Sequence, residues 1–484
     1  MKKLVFLNLL FCINIMTQWS DDIRLTNATG NSVTSINNSK CIASNGDTIH
    51  IVWYDLRDGN EEIYYKRSTD NGTSWEPDVR LTNSIGQSNY PAIFVSGLKV
   101  RVAWRDTRDG NYEEYYKQSE DGGNTWGSDI RLTNAQNTSS IPSIFKYGNF
   151  EYLVWHDYRD DPNGNVQAEI YFKFSTNDGS TWNNDVRLTD SPNMAENPSI
   201  TVSNNIIHIV WADYRIGGAP EIYYIKSSDN GLSWSPETQL SNNPTSLASN
   251  NPCIVSSSSN IFVVWNDNRN FHGQIYFKKS SDNGMIWDPE RSLSNDSSQS
   301  YNASLSCFNQ QLHFVCYDDR NGYFKIYYQK SLDLGQTWST ELNLVDENTG
   351  GSSRPSLCIS NHQVNIVWCD TRAGNFEIYY KKNPSGLVFT NNEVTNLKSF
   401  LLAQNFPNPF NPVTNINFGL NKGSHVILII YDQIGREVST LVNEELKPGT
   451  YETVWDGSNF SSGVYFYKII TEGFVATKKM VLMK

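Results

Sequence analysis

Cysteine, histidine and charge are all scarce in this chain, and each scarcity removes a class of function. Seven cysteines in 484 residues, with no C-x-x-C pair and no regular spacing, provide neither a zinc site nor a disulfide scaffold. Seven histidines (His50, His156, His208, His272, His313, His362 and His425) are dispersed without an H-E-x-x-H, so they read as strand and loop residues rather than metal ligands. Charged residues make up only 19%, which excludes a coiled coil or a solvating acidic tail. Lys plus Arg (39) against Asp plus Glu (51) leaves a net charge of −12, which argues against a nucleic-acid backbone or an anionic membrane surface as the main partner. No P-loop, dinucleotide fingerprint or G-x-S-x-G elbow occurs, and no cofactor is expected. What is abundant is aromatic: 26 Tyr, 22 Phe and 14 Trp lean the chain toward β-structure.

The first eighteen residues differ from the rest. Lys2 and Lys3 precede an apolar run, Leu4 to Ile15, too short to span a bilayer but suited to a secretory signal. Residues 1–18 are therefore expected to be a signal peptide, cleaved before Trp19, with no membrane anchor after it. Cys12 follows the bulky Phe11, a poor fit to lipoprotein processing.

From Trp19 to about Lys382 the chain repeats itself. The element W-x-D-x-R recurs at Trp53, Trp104, Trp155, Trp211, Trp265 and Trp368, with Cys316 replacing Trp once, at steps of 51, 51, 56, 54, 51 and 52 residues. Each module holds four short runs of alternating apolar residues, which predicts four antiparallel strands. Seven such modules predict an all-β, seven-bladed propeller over residues 19–382. The fourth-strand signature, Trp followed six positions later by Leu, also occurs as Trp19/Leu25, whereas the last module stops after three strands. Residues 19–27 should therefore complete that module and close the ring.

Between the third and fourth strands sits S-x-D-x-G-x-x-W, centred on Asp70, Asp121, Asp229, Asp282 and Asp333, with Asn177 in the third copy. These residues resemble the Asp-box of the bacterial sialidase superfamily. In that turn the carboxylate accepts backbone N–H bonds and Gly takes a positive φ, so the motif is read as a fold staple.

The W-x-D-x-R loops should lie on the opposite face. They carry Asp55/Arg57, Asp106/Arg108, Asp157/Arg159, Asp213/Arg215, Asp267/Arg269, Asp318/Arg320 and Asp370/Arg372. One reading makes these ion pairs that stitch neighbouring blades, because a catalytic group is needed once and a structural one per blade. The other turns the guanidiniums toward the central funnel as ligands for carboxylates, sulfates or sugar hydroxyls. Tyr54, His156, Tyr158, Tyr214 and Tyr317 could add stacking surfaces there.

The sialidase resemblance implies a D-x-R catalytic acid, an R-I-P arginine holding the substrate carboxylate and a Tyr–Glu nucleophile pair. All seven D-x-R aspartates are then acid candidates, and Glu62, Glu113, Glu169, Glu221 and Glu377 lie nearby. The R-I-P place is filled by Ser140-Ile141-Pro142, and by Asn89, Glu196, Asn250, Tyr301 and Ser353 elsewhere, while Arg354-Pro355 is offset by one residue. That offset turns its side chain to the other face of a regular strand. Seven modules also depart from the family's six blades. Loops such as Asp58-Gly59-Asn60 and Asp109-Gly110-Asn111 offer oxygen ligands for calcium but are also ordinary hairpin turns.

After a polar linker, residues 383–399, the segment 400–484 has its own strand-like runs at His425 to Asp432, Thr450 to Trp455, Gly463 to Thr471 and Phe474 to Met483, which suits a small immunoglobulin-like sandwich. Its motifs F-P-N-P-F-N-P, V-I-L-I-I-Y-D-Q-I-G-R-E-V and K-K-M-V-L-M-K closely resemble the type A C-terminal sorting domain of the type IX secretion system. That resemblance implies passage through the periplasm and across the outer membrane to the cell surface or medium. The expectation is a secreted binding or adhesion propeller for glycans or other surface polymers, with a secreted exo-α-sialidase as the alternative.

Overall fold

The computed structural model describes residues 19–35, 40–161, 164, 166–215, 218–243, 247–294, 298–308, 310–320, 322–345, 350–360, 363–383, 400–402, 404–405, 408–420, 422–446 and 449–483. The expected signal segment 1–18, His362 and nearly all of the linker lie outside these residues. The chain divides into two compact units at residues 387/388. Both are all-β, and no helix among the described residues is long and apolar enough to cross a membrane.

The first unit contains seven sheets among the described residues. One module shows why the sequence folds this way. Ala195–Ser203 and Ile206–Asp213 form a hairpin whose two linking residues, Asn204 and Asn205, take φ of 51° and 60°, the positive values that a two-residue turn demands. Glu221–Ser227 adds antiparallel to the second strand, and the two-residue Thr238–Gln239 adds to the third. The alternating side chains of the central strands are buried on both faces. Trp53, Trp104, Trp155, Trp211, Trp265 and Trp368 are all but inaccessible to solvent, each contributing about 4–6 kcal/mol of gross transfer free energy.

Successive first strands pack on one another, and Ser352–Ser360 of the last sheet packs against Ile42–Asn45 of the first, so the succession returns to its start. These inner strands are not paired as a sheet. Instead a hydroxyl of one accepts a main-chain N–H of the next: Ser143 from Ile200 (3.3 Å), Ser199 from Ile254 (3.3 Å), Ser304 from Leu357 (3.2 Å) and Ser356 from Cys41 (3.1 Å). The closing contact is covalently remote. Ile23–Arg24 pairs with Glu377–Asn383, Ile23 opposite Tyr380, flanked by Ser20 N to Lys382 O and Leu25 N to Ile378 O, each 2.8 Å. Thr26 adds a hydroxyl bond of 2.5 Å to Glu377.

The Asp-box turns fasten each sheet to the one before it. Trp75, Trp126, Trp182, Trp234, Trp287 and Trp338 meet Tyr380, Tyr65, Tyr116, Phe172, Tyr224 and Phe277 edge-on, and Trp19 meets Tyr328 in the same way. Gly72 has φ of 72°, and a Cβ there would lie 2.1 Å from the Tyr380 hydroxyl, so the position admits no side chain on either count.

The second unit is built from a three-stranded sheet (Leu401–Leu402, Val413–Leu420, Gly449–Asp456) and a four-stranded one (Glu437–Leu446, Ser424–Asp432, Gly463–Thr471, Phe474–Leu482). Phe410, Ile416, Leu428, Trp455, Tyr467 and Met480 belong to one apolar cluster shared by the two sheets. Val413–Leu420 and Glu437–Leu446 were not legible as strands, because polar residues interrupt their alternation.

Candidate functional site

The seven repeated Asp–Arg pairs form one construction. Asp55, Asp106, Asp157, Asp213, Asp267, Asp318 and Asp370 are fully buried. Asp55 accepts the Trp53 indole N–H (2.9 Å), the Ser32 hydroxyl (2.7 Å), the Arg57 main-chain N–H (2.9 Å) and Arg57 Nη2 (2.6 Å). The set recurs in the other sheets with two substitutions: Ser191 serves Asp213 where Ala195 removes the usual hydroxyl, and the Ser298 hydroxyl serves Asp318 where Cys316 removes the indole. Burial opposes ionisation of Asp55, yet bonds from Arg57, Ser32 and Trp53 prevail and hold its pKa below the ordinary value.

The other guanidinium nitrogen meets a second acid near the fourth strand: Asp78 for Arg57, Asp129 for Arg108, Asp185 for Arg159, Glu237 for Arg215, Glu290 for Arg269, Glu341 for Arg320 and Asp22 for Arg372. Each guanidinium also lies 3.9–4.4 Å from the centre of a tyrosine ring, such as Tyr64 under Arg57 and Tyr327 under Arg320. The pairs close within a sheet, not between neighbours, because residues two apart on one strand share a side and the acid arrives from the same sheet's edge.

Glu62 and its counterparts are likewise engaged: Glu62 takes the Thr82 hydroxyl (2.5 Å), the Ser84 N–H (2.9 Å) and Arg80 (2.9 Å), with Glu113, Glu169, Glu221 and Glu377 repeating the pattern with variations. In the loops considered for calcium, Asp58 binds Tyr64 and Arg80, while Asn60 donates to Gly86 O at 2.5 Å. In the second, Asp109 binds Tyr115 and Arg131. Among the described residues no three His, Cys, Asp or Glu side chains are grouped as metal ligands. His50, His208 and His313 bond Tyr65, Tyr224 and Tyr328 at 2.6–2.7 Å, and burial lowers each pKa to about 3.

The Asp-box residues hold their turns. Asp121 accepts Thr125 N (2.8 Å), Thr125 Oγ1 (2.7 Å) and Ser119 Oγ (2.8 Å), which depress its pKa to about 2. Asp70, Asp229 and Asp333 repeat the pattern, and Asp282 keeps the Ser280 and main-chain bonds with Ile286 in place of the hydroxyl residue. Asn177 does the same with its amide oxygen, accepting Thr181 N at 2.9 Å.

The chain is unlike itself from module to module at the start of the inner strands, on the side of the W-x-D-x-R loops. Six of these strands carry a bulge, with Tyr90, Ile141, Asn197, Asn251, Asn302 and Arg354 at φ of 47–64°. The bulge resets the alternation, so the offset of Arg354 does not turn it away: its Nη1 reaches the Tyr54 hydroxyl at 3.2 Å. Tyr54 stands edge-on to Tyr90 at 6.0 Å, and Arg105 lies 4.0 Å from the ring centres of both Tyr90 and Tyr112. Arg105 Nε donates to Asn89 (2.5 Å) and Nη1 to Ser140 (2.8 Å). Across this row Asn197 donates to Asn251 at 3.0 Å.

Other expected residues gather near it. Tyr214 donates to Glu196 at 2.9 Å, and burial raises the Glu196 pKa against that bond. His156 packs edge-on to Tyr158 at 5.6 Å. Burial, then the Arg105 charge, lowers its pKa to about 3. Tyr317 meets Tyr301 at 5.8 Å. Arg105 and Glu114 were missed by reasoning from the repeat. The available signal was departure from it, since Glu114 stands where the other sheets have Ile63, Ile170, Ile222, Ile275, Ile326 and Ile378.

Repetition of a sialidase-type turn on a succession of sheets, six of four strands and one of five, defines a class, and known proteins agree. The BNR repeat-like domain matches residues 16–209 and 152–365, and the secretion system C-terminal sorting domain matches residues 404–483. The chain belongs to the BNR repeat-like family and carries a C-terminal sorting domain of the kind that marks proteins exported through type IX secretion to the cell surface or extracellular space. Among solved structures, a polysaccharide lyase, an ulvan lyase, is similar with a TM-score of 0.54 at 10% identity, over 73% of this chain and 94% of its own. Polysaccharide lyase Uly1 gives 0.52 at 9% identity, over 76% and 99%. A Trypanosoma rangeli sialidase, solved with the inhibitor DANA, gives 0.46 at 10% identity, over 83% and 85%. No curated protein matches. For the two lyases, at these identities, the likeness is one of fold, propeller-like and all-β.

Proposed function

We propose that the protein is a seven-bladed propeller, residues 19–382 closed by the N-terminal strand, which binds an acidic glycan or other surface polymer outside the cell. A linker, residues 383–399, joins it to an immunoglobulin-like sorting sandwich, residues 400–484, and residues 1–18 act as the signal peptide. The seven Asp–Arg pairs and the Asp-boxes are structural in this reading. The observation that carries it is the pair of cations that break the repetition. Arg105 and Arg354 have no carboxylate within ion-pair distance among the described residues, and both stand among tyrosines where the inner strands begin. Unneutralised guanidiniums beside aromatic faces suit a sugar bearing a carboxylate or sulfate. A similar fold, the ulvan lyase, has been solved bound to -[GlcA(1-4)Rha3S]-, itself such a saccharide. An array of acidic and neutral glycans probed with the exported chain tests this: retention confined to acidic glycans supports the reading, and equal retention of neutral ones overturns it.

The sialidase-type glycosidase remains as a second reading because Tyr214 and Glu196 are hydrogen-bonded where the repeat is broken. Turnover of a fluorogenic sialoside that is lost in Tyr214→Phe would favour it over binding alone.

A further inference from the structure

Glu114 departs from the repeat, standing where the other six sheets have isoleucine. It is fully buried, and neither carboxylate oxygen has a hydrogen-bond partner. It sits directly across the strand pair from Arg105, the two being register partners. Cross-strand neighbours share a face and lie within side-chain reach. Arg105, meanwhile, is held only by neutral groups, the Asn89 amide, the Ser140 hydroxyl and two tyrosine rings. A buried carboxylate and an unneutralised guanidinium on adjacent strands are not paired, and each bears on what the other can do.

We propose that Arg105 and Glu114 form a proton-coupled subsite for the carboxylate or sulfate of an acidic saccharide, open while Glu114 carries a proton and closed when it loses it. The inference rests on the glycan-binding reading and deepens it. An ionised Glu114 is an anion closed off from bulk solvent and competes with the ligand for the guanidinium of Arg105, drawing it inward from its place between Tyr90 and Tyr112. A neutral Glu114 leaves that cation to the ligand, and a bound anion in turn favours the neutral acid. The surrounding charges agree. Burial, with Asp157 of the next sheet and Glu113 of the same strand, raises the Glu114 pKa well above its ordinary value against the pull of Arg105. His156 stays neutral above about pH 3, and Glu61 is reached only through the Asn89 amide. Ligand binding therefore takes up a proton once the pH exceeds the Glu114 pKa.

The test measures affinity of the full exported chain between pH 5 and 9 for three probes: a chondroitin sulfate hexasaccharide, a hyaluronan hexasaccharide with carboxylates only, and a carrageenan hexasaccharide with sulfates only. The last two arms separate carboxylate from sulfate as the group held. For the unmodified protein, the affinity is expected to weaken by up to about tenfold per pH unit above the Glu114 pKa. E114Q should bind at all pH values with that slope removed, and E114I, which installs the residue of the other six sheets, should do the same. R105Q should lose binding at every pH while its thermal unfolding stays close to that of the parent. A buried protonated carboxyl band in the parent-minus-E114Q infrared difference spectrum, followed as the pH is raised from 5, reads the Glu114 proton without any ligand and apart from the band of Glu196. A slope that survives in E114Q, or undiminished binding by R105Q, would overturn the subsite and leave the glycan reading standing. Binding of no probe by the unmodified chain would sink both.

Discussion

Replacing Glu114 by isoleucine should stabilise the protein, against the usual direction of a core substitution. The magnitude follows from two contributions. A buried polar group without a partner costs about 1–3 kcal/mol, and a fully buried isoleucine contributes about 1.5–3 kcal/mol. Some of this is lost to imperfect packing, which leaves an expected gain of about 2–4 kcal/mol. Ile63, Ile170, Ile222, Ile275, Ile326 and Ile378 are all fully buried at the same place, so the backbone accepts the side chain. The gain also depends on pH. With its folded pKa raised by burial, Glu114 binds more proton in the folded chain than in the unfolded one from about the ordinary value of 4.5 upward. Its contribution is thus fully present below that value and is lost as pH rises through the folded pKa. Guanidinium unfolding followed by tryptophan fluorescence at several pH values measures both. Expected is a higher midpoint for E114I, with an advantage that widens as pH increases. A lower midpoint, or a parent and variant whose stabilities run parallel with pH, would refute the account of Glu114 as an uncompensated buried acid.

Further outcomes follow from the staples. Asp121→Asn should be tolerated, because Asn177 performs the same task with an amide oxygen, whereas Asp121→Ala should open the turn around Gly122 and speed its cleavage in limited proteolysis. Deleting residues 19–27 removes the strand paired with Glu377–Asn383 and exposes that edge, so size-exclusion chromatography should show aggregation and the unfolding midpoint should fall. A reporter fused to residues 383–484 should reach the medium or cell surface of a host with type IX secretion, measured by fractionation, and periplasmic retention would count against the sorting role.

Much of the fold was legible because it is repeated. Trp53 and its equivalents, the Asp-boxes and the lone Trp19/Leu25 signature announce the strands and the partner of Ile23–Arg24 before any coordinates. The candidate site was less so, for two physical reasons. A bulge changes the parity of a strand, so the side of Arg354 could not be read from alternation, and the positive φ at Tyr90 and Ile141 belongs to residues that rarely adopt it. The second reason is that repetition draws attention to what recurs. Asp55/Arg57 and its copies are conspicuous and self-satisfied, while Arg105 and Glu114 occur once and vanish among strand residues. Their significance lies in missing partners, which only packing reveals.

The central claim is that recognition resides in the arginines that occur once and not in those that recur. Equilibrium binding of the chondroitin sulfate hexasaccharide to R105Q/R354Q and to R215Q, at a pH where both remain folded, tests it most directly. The account predicts that the double variant loses binding at least tenfold, the equivalent of about 1.4 kcal/mol, while R215Q, which breaks a repeated staple, keeps the parental affinity despite lower stability. Parental affinity in R105Q/R354Q together with loss in R215Q would contradict it.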